Sequence, residues 1–212
     1  MTSLDEYRKW DCVDIVKQVS SETVRVDEIR QLAIEALDGI EGWNVMDEVY
    51  RDDPLNSQSG LLLGVPLVHK DAGAQLKGKA RSFGSRFLEN HRAETTSRVF
   101  ELLQNEGVQI VGRTRVPEMH LSVTGDNAVL GSTPNPFNPR YSMGGSTAGI
   151  AAVALGAVPV AHGGDSGGSL RIPASWAGCY TIKPTRGRVS NYPAGNPLYG
   201  LNHIFVGTRS LR

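Results

Sequence analysis

The sequence predicts an α/β fold in which neighbouring strands run parallel. A buried strand is expected at Leu67-Val68, and a helix over 95–106 leads through Gly107 into a second strand over 108–111. This strand, helix and strand order with short joints is typical of parallel sheets. With 212 residues, of which 40% are hydrophobic and 21% charged, the composition indicates a globular protein with a sizeable core.

The first part of the chain is predicted to be helical and then irregular. Apolar residues recur at helical spacing over 4–19, and more clearly over 26–40, where Gly39 lies near the end. We expect these helices to serve as packing elements. The segments 51–60 and 77–92 are polar and are expected to be loops.

The second half is predicted to alternate short elements with irregular segments. Residues 131–141 hold three prolines and two asparagines, so we expect no regular structure there. A helix of small residues is predicted over 146–155, followed by a strand over 158–161. A short helix from Pro173 and a strand over 180–183 follow, and the remainder is expected to be rich in loops.

Charge and composition exclude several classes of function. The 22 basic residues balance 22 acidic ones and form no basic stripe, which argues against a nucleic-acid partner. Cys12 and Cys179 lie far apart and in no metal-ligand spacing, which favours a reducing, cytoplasmic compartment. No apolar run is long enough for a bilayer, and residues 1–6 do not resemble a signal peptide, so no membrane partner is expected.

Two glycine-rich turns organise the sequence. We call residues 144–149 the first glycine loop and residues 165–173 the second glycine loop, and both carry serines. Glycine lets a backbone approach a ligand closely, so N–H groups and hydroxyls are expected to converge here. Phosphate binding is one hypothesis, but the Lys-Ser/Thr of a P-loop and a dinucleotide motif after a strand are both missing.

Two further hypotheses use a serine nucleophile. The run Gly164-Asp165-Ser166-Gly167-Gly168 is similar to the nucleophile loop of trypsin-like β-barrel proteases, which would select Ser166, but their histidine motif is absent. The other hypothesis pairs serines with a neutral lysine as base. Lys70 ends the buried strand, and burial lowers a lysine pKa from its usual value of about 10.4. Considered alone, Lys70 would more simply mark the exit of the strand into solvent.

Six motifs together resemble the amidase signature family, the Ser–Ser–Lys amidohydrolases. Their order and rough spacing fit the family, and they cover nearly the whole chain. The motifs are Gly64-Val65-Pro66-Leu67-Val68-His69-Lys70-Asp71, Thr114-x-x-Pro117-Glu118, Asn135-Pro136-Phe137-Asn138, Gly144-Gly145-Ser146, Asp165-x-Gly167-Gly168-Ser169-x-Arg171-x-Pro173-Ala174 and Lys183-Pro184-Thr185-Arg186-Gly187-Arg188-Val189-Ser190. Any one glycine loop would be weak evidence, whereas the joint set is very specific.

The resemblance implies hydrolysis of an amide C–N bond through a serine acyl-enzyme, with neither metal nor cofactor. Ser169 would be the nucleophile and Lys70 the general base. Ser146, which follows a cis peptide bond in the family, would relay the proton between them. The predicted oxyanion donors are the backbone N–H groups of Ser166, Gly167, Gly168 and Ser169. Such a donor typically contributes about 3 kcal/mol to lowering the barrier.

The expected architecture is an α/β fold with a mixed β-sheet flanked by helices on both faces. We expect one amidase signature domain over 1–212, with N-terminal helices in 1–50 and a catalytic core over 60–212. Asp165 is expected to brace its loop, and Arg171 to form a structural ion pair. The first glycine loop departs from the family pattern at Thr147 and Ala148, where serine and glycine are usual.

The run Gly207-Thr208-Arg209-Ser210-Leu211-Arg212 resembles the mid-chain Gly-x-x-Arg-Ser-x-Arg of the family, whose members extend well beyond it. We therefore expect an N-terminal fragment or a truncated member, with exposed apolar edges, that is poorly stable or inactive alone. Its partners would be a small-molecule amide substrate and either the C-terminal half or a second copy. One alternative is a glutaminase-type subunit of a tRNA amidotransferase, which needs partner subunits. Another is a non-catalytic half that acts in folding or assembly.

Overall fold

A six-stranded sheet forms the centre of the computed structural model, which describes residues 2–57, 59–195 and 197–212. Strands and helices are numbered in chain order. Across the sheet the strands lie in the order β1 (Met46–Val49), β3 (Gln109–Thr114), β2 (Pro66–Lys70), β8 (Val160–Asp165), β10 (His203–Thr208) and β9 (Tyr180–Thr181).

The sheet is mixed, as predicted. The central strand β2 runs parallel to β3 and to β8, and His69 lies beside His162 in the register. The outer strands β1, β10 and β9 each run antiparallel to their neighbours. The parallel trio places the carboxyl ends of β2 and β8, Lys70 and Asp165, at the same edge of the sheet.

Helices cover both faces of this sheet, as predicted. They are α1 (Leu4–Tyr7), α2 (Cys12–Ser20), α3 (Val26–Asp38), α4 (Arg98–Asn105), α5 (Ile150–Ala154) and α6 (Arg171–Trp176). On one face, Phe100 of α4 packs edge-on against His162, with ring centroids 4.9 Å apart. On the other, a Cβ at Gly163 would lie 2.6 Å from Leu170 and 2.7 Å from Thr147, which flank α6 and α5. Successive strand residues point to opposite faces, so His162 and Gly163 report on the two sides.

The N-terminal helices differ from the prediction at one point. The predicted helix over 4–19 is two helices, because Asp11 starts a new one: its carboxylate accepts from the Asp14 N–H at 3.0 Å in a capping box. The apolar residues that recur at helical spacing along α3, such as Ile29, Ala33 and Leu37, are buried as predicted. No helix in the described part of the chain is both long and apolar enough to cross a bilayer.

Residues 131–141 contain short strands, so the prediction of no regular structure was wrong. β4 (Asp126–Asn127) pairs with β5 (Gly131–Ser132), and β6 (Pro134–Asn135) pairs with β7 (Asn138–Ser142). Each is a two-stranded ribbon outside the main sheet, where a proline can face away from the ladder. The Asn135 side chain closes the second ribbon by accepting from the Phe137 N–H at 2.9 Å.

Three strands of the main sheet differ from the prediction: two were not predicted, and one is longer than predicted. β1 lies within the segment 1–50 that was expected to be helical, and β10 lies in the region expected to be loops. β8 continues through two glycines to Asp165, whereas the predicted strand stopped at Ala161. The glycine at 163 hides the strand pattern, yet its missing side chain leaves the space that Thr147 and Leu170 occupy.

Candidate active site

Lys70 is the last residue of β2 and points into the protein rather than to solvent. Its residue is 2% exposed, and its Nζ donates a hydrogen bond to the Ser146 Oγ at 2.8 Å. Burial lowers the pKa of Lys70 to about 7, against the opposing effect of the negative charge of Asp165. The lowered pKa favours the neutral amine, which can accept a proton.

Ser146 is held at the bottom of the site by the first glycine loop. The residue is fully buried, and the peptide bond between Gly145 and Ser146 is cis. A Cβ at Gly145 would overlap the carbonyl of Thr124, so only glycine fits beside that stretch of chain. The Gly145 N–H donates to the Val123 carbonyl at 2.7 Å, which fixes the loop against the segment 122–125.

The second glycine loop is organised around Asp165. Its buried carboxylate accepts from the Gly168 N–H at 2.9 Å and from the Arg171 side chain at 2.8 and 2.9 Å. The N–H groups of Leu170 and Arg171 add two more bonds. Burial alone would raise the pKa of Asp165, but these hydrogen bonds outweigh it and hold the pKa at about 2. The predictions that Asp165 braces the loop and that Arg171 forms a structural ion pair are confirmed.

The brace divides the backbone donors of this loop into two groups. The Gly168 N–H is bound to Asp165, so the prediction that it serves as an oxyanion donor is not supported by its geometry. Within the described residues, the N–H groups of Ser166, Gly167 and Ser169 donate to no protein acceptor. Three of the four predicted donors are therefore free to bind a substrate oxygen.

One cavity of about 530 Å³ brings the predicted catalytic side chains together. Lys70, Ser146 and Ser169 all line it. So do Ser166 and Gly167, whereas Gly168 does not. Ser169 is half-buried, whereas Lys70 and Ser146 are buried. A smaller cavity of about 140 Å³, near Arg30 and Asp53, contains none of the predicted site residues.

Comparisons with known proteins show the family of this chain. The family model for Amidase matches residues 45–210. The chain belongs to the amidase family. Among curated relatives of this amidase family member, the Enterococcus faecalis lipoamidase is 42% identical over 154 residues, which are 70% of this chain and 21% of the lipoamidase. A glutamyl-tRNA(Gln) amidotransferase polypeptide of Protochlamydia amoebophila (strain UWE25) is 39% identical over 153 residues, covering 72% of this chain and 31% of that polypeptide.

Solved structures share the fold of this amidase family member. A bacterial aryl acylamidase of the amidase signature enzymes matches with a TM-score of 0.85 and 31% identity, over 95% of this chain and 45% of that chain. The 6-aminohexanoate cyclic dimer hydrolase matches with a TM-score of 0.86 and 29% identity, over 99% of this chain and 45% of that one. The chain thus spans under a third of these two curated relatives and under half of these solved structures.

Ser166, the nucleophile of the trypsin-like hypothesis, is hydrogen-bonded to a residue other than a histidine. The Ser166 hydroxyl donates to the Asn202 Oδ1 at 3.1 Å. Within the described residues, no histidine is hydrogen-bonded to it; His69, for example, pairs its Nε2 with the Tyr50 hydroxyl at 2.8 Å. Ser166 therefore lacks the base that the trypsin-like mechanism requires.

The two departures in the first glycine loop are accommodated by packing. Thr147 is fully buried, and its methyl and hydroxyl lie over Gly163 of β8, where a Cβ is missing. The Thr147 Oγ1 has no partner among the described residues. Ala148 is buried as well. Both substitutions fit without displacing Ser146 from its hydrogen bond to Lys70.

One wall of the cavity was not predicted from the sequence. It includes Arg81, Phe83 and His120, and Arg81 and Phe83 come from the polar segment 77–92, predicted only as a loop. Phe83 and His120 have φ angles of 52° and 57°, in the left-handed region that non-glycine residues rarely adopt. No periodicity or motif in the sequence marks such backbone turns, so no signal was available to find these residues.

Proposed function

We propose that this chain carries the machinery for hydrolysing a carbon–nitrogen amide bond of a small molecule through a serine acyl-enzyme. Ser169 would attack the carbonyl carbon, with Ser146 as proton relay and Lys70 as general base. The observation that carries the proposal is the fully buried hydrogen bond of 2.8 Å between the Lys70 Nζ and the Ser146 Oγ, beside Ser169 in one cavity.

The proposed proton path needs a neutral lysine, which the burial of Lys70 favours. As the Ser169 Oγ forms a bond to the carbonyl carbon, its proton passes to Ser146, and the proton of Ser146 passes to Nζ. When the C–N bond breaks, Lys70 returns that proton through Ser146 to the leaving amine. Water then attacks the ester, and the same relay releases the acid and restores Ser169.

The proposed oxyanion hole is formed by the N–H groups of Ser166, Gly167 and Ser169. They have no acceptor among the described residues, which supports their use by a substrate oxygen. The Gly168 N–H contributes indirectly, because its bond to Asp165 fixes the course of the loop. Each preorganised donor would lower the barrier by about 3 kcal/mol.

Labelling with a fluorophosphonate probe, followed by peptide mass spectrometry, tests the nucleophile. We expect the adduct on Ser169, and we expect it in the Ser166→Ala control as well, because that substitution keeps the backbone N–H. Ser169→Ala should not be labelled. An adduct on Ser166 would support the trypsin-like mechanism instead, and the absence of any adduct would indicate a non-catalytic half.

A glutaminase-type role within an amidotransferase is a second candidate function. Polypeptides of several glutamyl-tRNA(Gln) amidotransferases are 36 to 41% identical to parts of this chain. The two functions are separated by substrate: ammonia release from glutamine would support the amidotransferase role, whereas release of lipoic acid from lipoamide or of aniline from an anilide would support an amidase. We would measure all three reactions in parallel, with Ser169→Ala as the blank.

A further partner and a cytoplasmic location complete the proposal. Leu121 and Leu198 line the cavity yet are 88% and 61% exposed, so a further segment or protein covering the cavity mouth would remove apolar surface from water. We propose that full activity needs such a cover.

Cys12 and Cys179 are both free, which supports a reducing compartment.

A further inference from the structure

A cation, an aromatic ring and an imidazole form one wall of the candidate active-site cavity. The guanidinium carbon of Arg81 lies 4.6 Å from the ring centroid of Phe83. The His120 ring packs edge-on against the same Phe83 ring, with centroids 5.1 Å apart. All three residues line the cavity that contains Lys70, Ser146 and Ser169. The wall therefore presents Arg81 to the same space as the candidate nucleophile.

Arg81 has no counter-ion in this wall. Its Nε is buried without a hydrogen-bond partner, and within the part of the chain that the structure describes it forms no ion pair. The carboxylate of Asp71 attracts Arg81 electrostatically, but it is already bound to Arg113 at 2.8 Å and to the Ser82 hydroxyl at 2.8 Å. Burial lowers the pKa of Arg81, although an arginine keeps its charge at any physiological pH.

Among the described residues that line the rest of the cavity, none carries a negative charge that could balance Arg81. Its remaining walls are largely apolar, and they include Ala72, Met119, Leu121, Val123, Ala194 and Leu198. Lys70 is either neutral or positive, and the Asp165 carboxylate is saturated by its own loop. A partly buried, unpaired cation is unfavourable, and a bound anion would relieve that cost. The planar guanidinium fork can bind a carboxylate through two parallel hydrogen bonds.

We propose that the amide substrate carries a carboxylate, and that Arg81 binds it at the wall formed with Phe83 and His120. This inference rests on the proposed function, because the carboxylate would belong to the molecule whose amide bond Ser169 attacks. It narrows the substrate class to acids that contain an amide, such as the monoamides and monoanilides of dicarboxylic acids. Phe83 would hold the guanidinium in place through its cation–π contact.

The test compares matched substrates on the full 212-residue chain. The acidic set is the mono-para-nitroanilides of succinic, glutaric and adipic acid, and the neutral set is the butanoyl, pentanoyl and hexanoyl para-nitroanilides of the same lengths. We expect kcat/KM to favour the acid over its neutral match by about 10- to 100-fold at one chain length. The preference should shrink at high salt. Equal kcat/KM values at all three lengths would overturn the inference.

Variants assign the preference to Arg81. In Arg81→Gln the ratio of acidic to neutral kcat/KM should fall towards one, whereas Arg81→Lys should retain part of it. The matched control is Arg86→Gln, an exposed arginine that does not line this cavity. It should leave the ratio at the wild-type value. A ratio that is as large in Arg81→Gln as in the wild type would exclude Arg81 as the carboxylate site.

A binding measurement separates this inference from the proposed function. Calorimetric titration of the chain with glutaramate, against neutral glutaramide, needs no turnover and no labelling. Tighter binding of glutaramate that is lost in Arg81→Gln and kept in Arg86→Gln supports the carboxylate site even if Ser169 proves unreactive. Equal binding of the two ligands overturns the site even if the fluorophosphonate adduct forms on Ser169.

Discussion

The two glycine loops have similar sequences and opposite surroundings. The first glycine loop is buried: a Cβ at Gly145 would overlap the Thr124 carbonyl, and Ser146 has no exposure to solvent. The second glycine loop is open only around Gly167 and Ser169: a Cβ at Gly167 would meet no described atom within 4 Å, and Ser169 is half-buried, whereas Asp165 and Leu170 are buried. Glycine thus provides room for close packing in one loop and accessible N–H groups in the other.

This difference supports the different roles that we propose for two serines that resemble each other in sequence. A fully buried serine that is hydrogen-bonded to a buried lysine is suited to passing a proton. A serine at the cavity, next to free N–H groups, is suited to attack. Hydrogen bonds to Asp165 from the Gly168 N–H and from Arg171 hold the open loop, whereas close packing holds the buried one.

The largest effect should come from removing the two hydroxyls one at a time. Ser169→Ala removes the nucleophile, so kcat/KM should fall by about 10⁴-fold or more. Ser146→Ala removes only the relay, so kcat/KM should fall by about 10²- to 10³-fold while the probe adduct still forms slowly on Ser169. Probe labelling rates and amide hydrolysis would be measured on both variants. Equal losses would contradict the division into nucleophile and relay.

A second pair of variants tests the contrast in packing. Gly145→Ala should lower the free energy of unfolding by about 3 kcal/mol, because the new methyl overlaps backbone that cannot move away. Gly167→Ala should change it by less than about 0.5 kcal/mol, since the methyl enters open space. Urea unfolding of both variants gives the values. A stability loss in Gly167→Ala equal to that in Gly145→Ala would show that both loops are equally packed.

The third prediction concerns pH, since only the buried loop contacts a titrating base. With the pKa of Lys70 at about 7, the neutral fraction rises about tenfold between about pH 6 and about pH 8, and the labelling rate of Ser169 should follow it. In the unfolded chain this lysine stays protonated up to about pH 10.4, so the unfolded chain binds more protons than the folded chain above about pH 7. The free energy of unfolding should therefore rise with pH between about pH 7 and about pH 10.4. A flat rate profile would argue against Lys70 as base.

The ion pair of the open loop should contribute less to stability than the packing around Gly145 does. Arg171 is 49% exposed at its side chain, so solvent screens its attraction to Asp165, and Arg171→Ala should cost about 1 kcal/mol of stability. The N–H bonds to Asp165 remain in that variant. Arg140→Ala, an exposed arginine on β7, serves as the control in the same urea experiment. A loss of several kcal/mol would mean that the brace depends mainly on the side chain.

The sequence predicted those site residues that are both chemically reactive and part of a family motif, which are Lys70, Ser146 and Ser169. Lys70 was ambiguous by itself, because the end of a strand does not reveal whether a side chain turns inward; only its motif selected it. The donor set was predicted less well, since the bond from Gly168 to Asp165 depends on the loop conformation. Arg81 and His120 were missed because tertiary packing, rather than local pattern, brings them to the cavity.

The fold shows the same division. The parallel trio of strands was indicated by apolar runs and by the helix over 95–106. β10 was missed, because its neighbours on the sheet are distant in sequence and its own residues alternate only weakly. β8 was predicted too short, since its glycines are poor strand formers whose use depends on what lies above them.

Gly163 is a position where a substitution should reduce activity through packing alone. The position carries no functional group, yet a Cβ there would overlap both Thr147 and Leu170, which adjoin the proposed relay Ser146 and the proposed nucleophile Ser169. In a saturation mutagenesis screen scored by activity, Gly163 should therefore rank with the serines, whereas Gly167 should accept small residues. Substitutions that change substrate specificity should therefore be found in the cavity wall, because the residues of the sheet beneath the site tolerate almost no change.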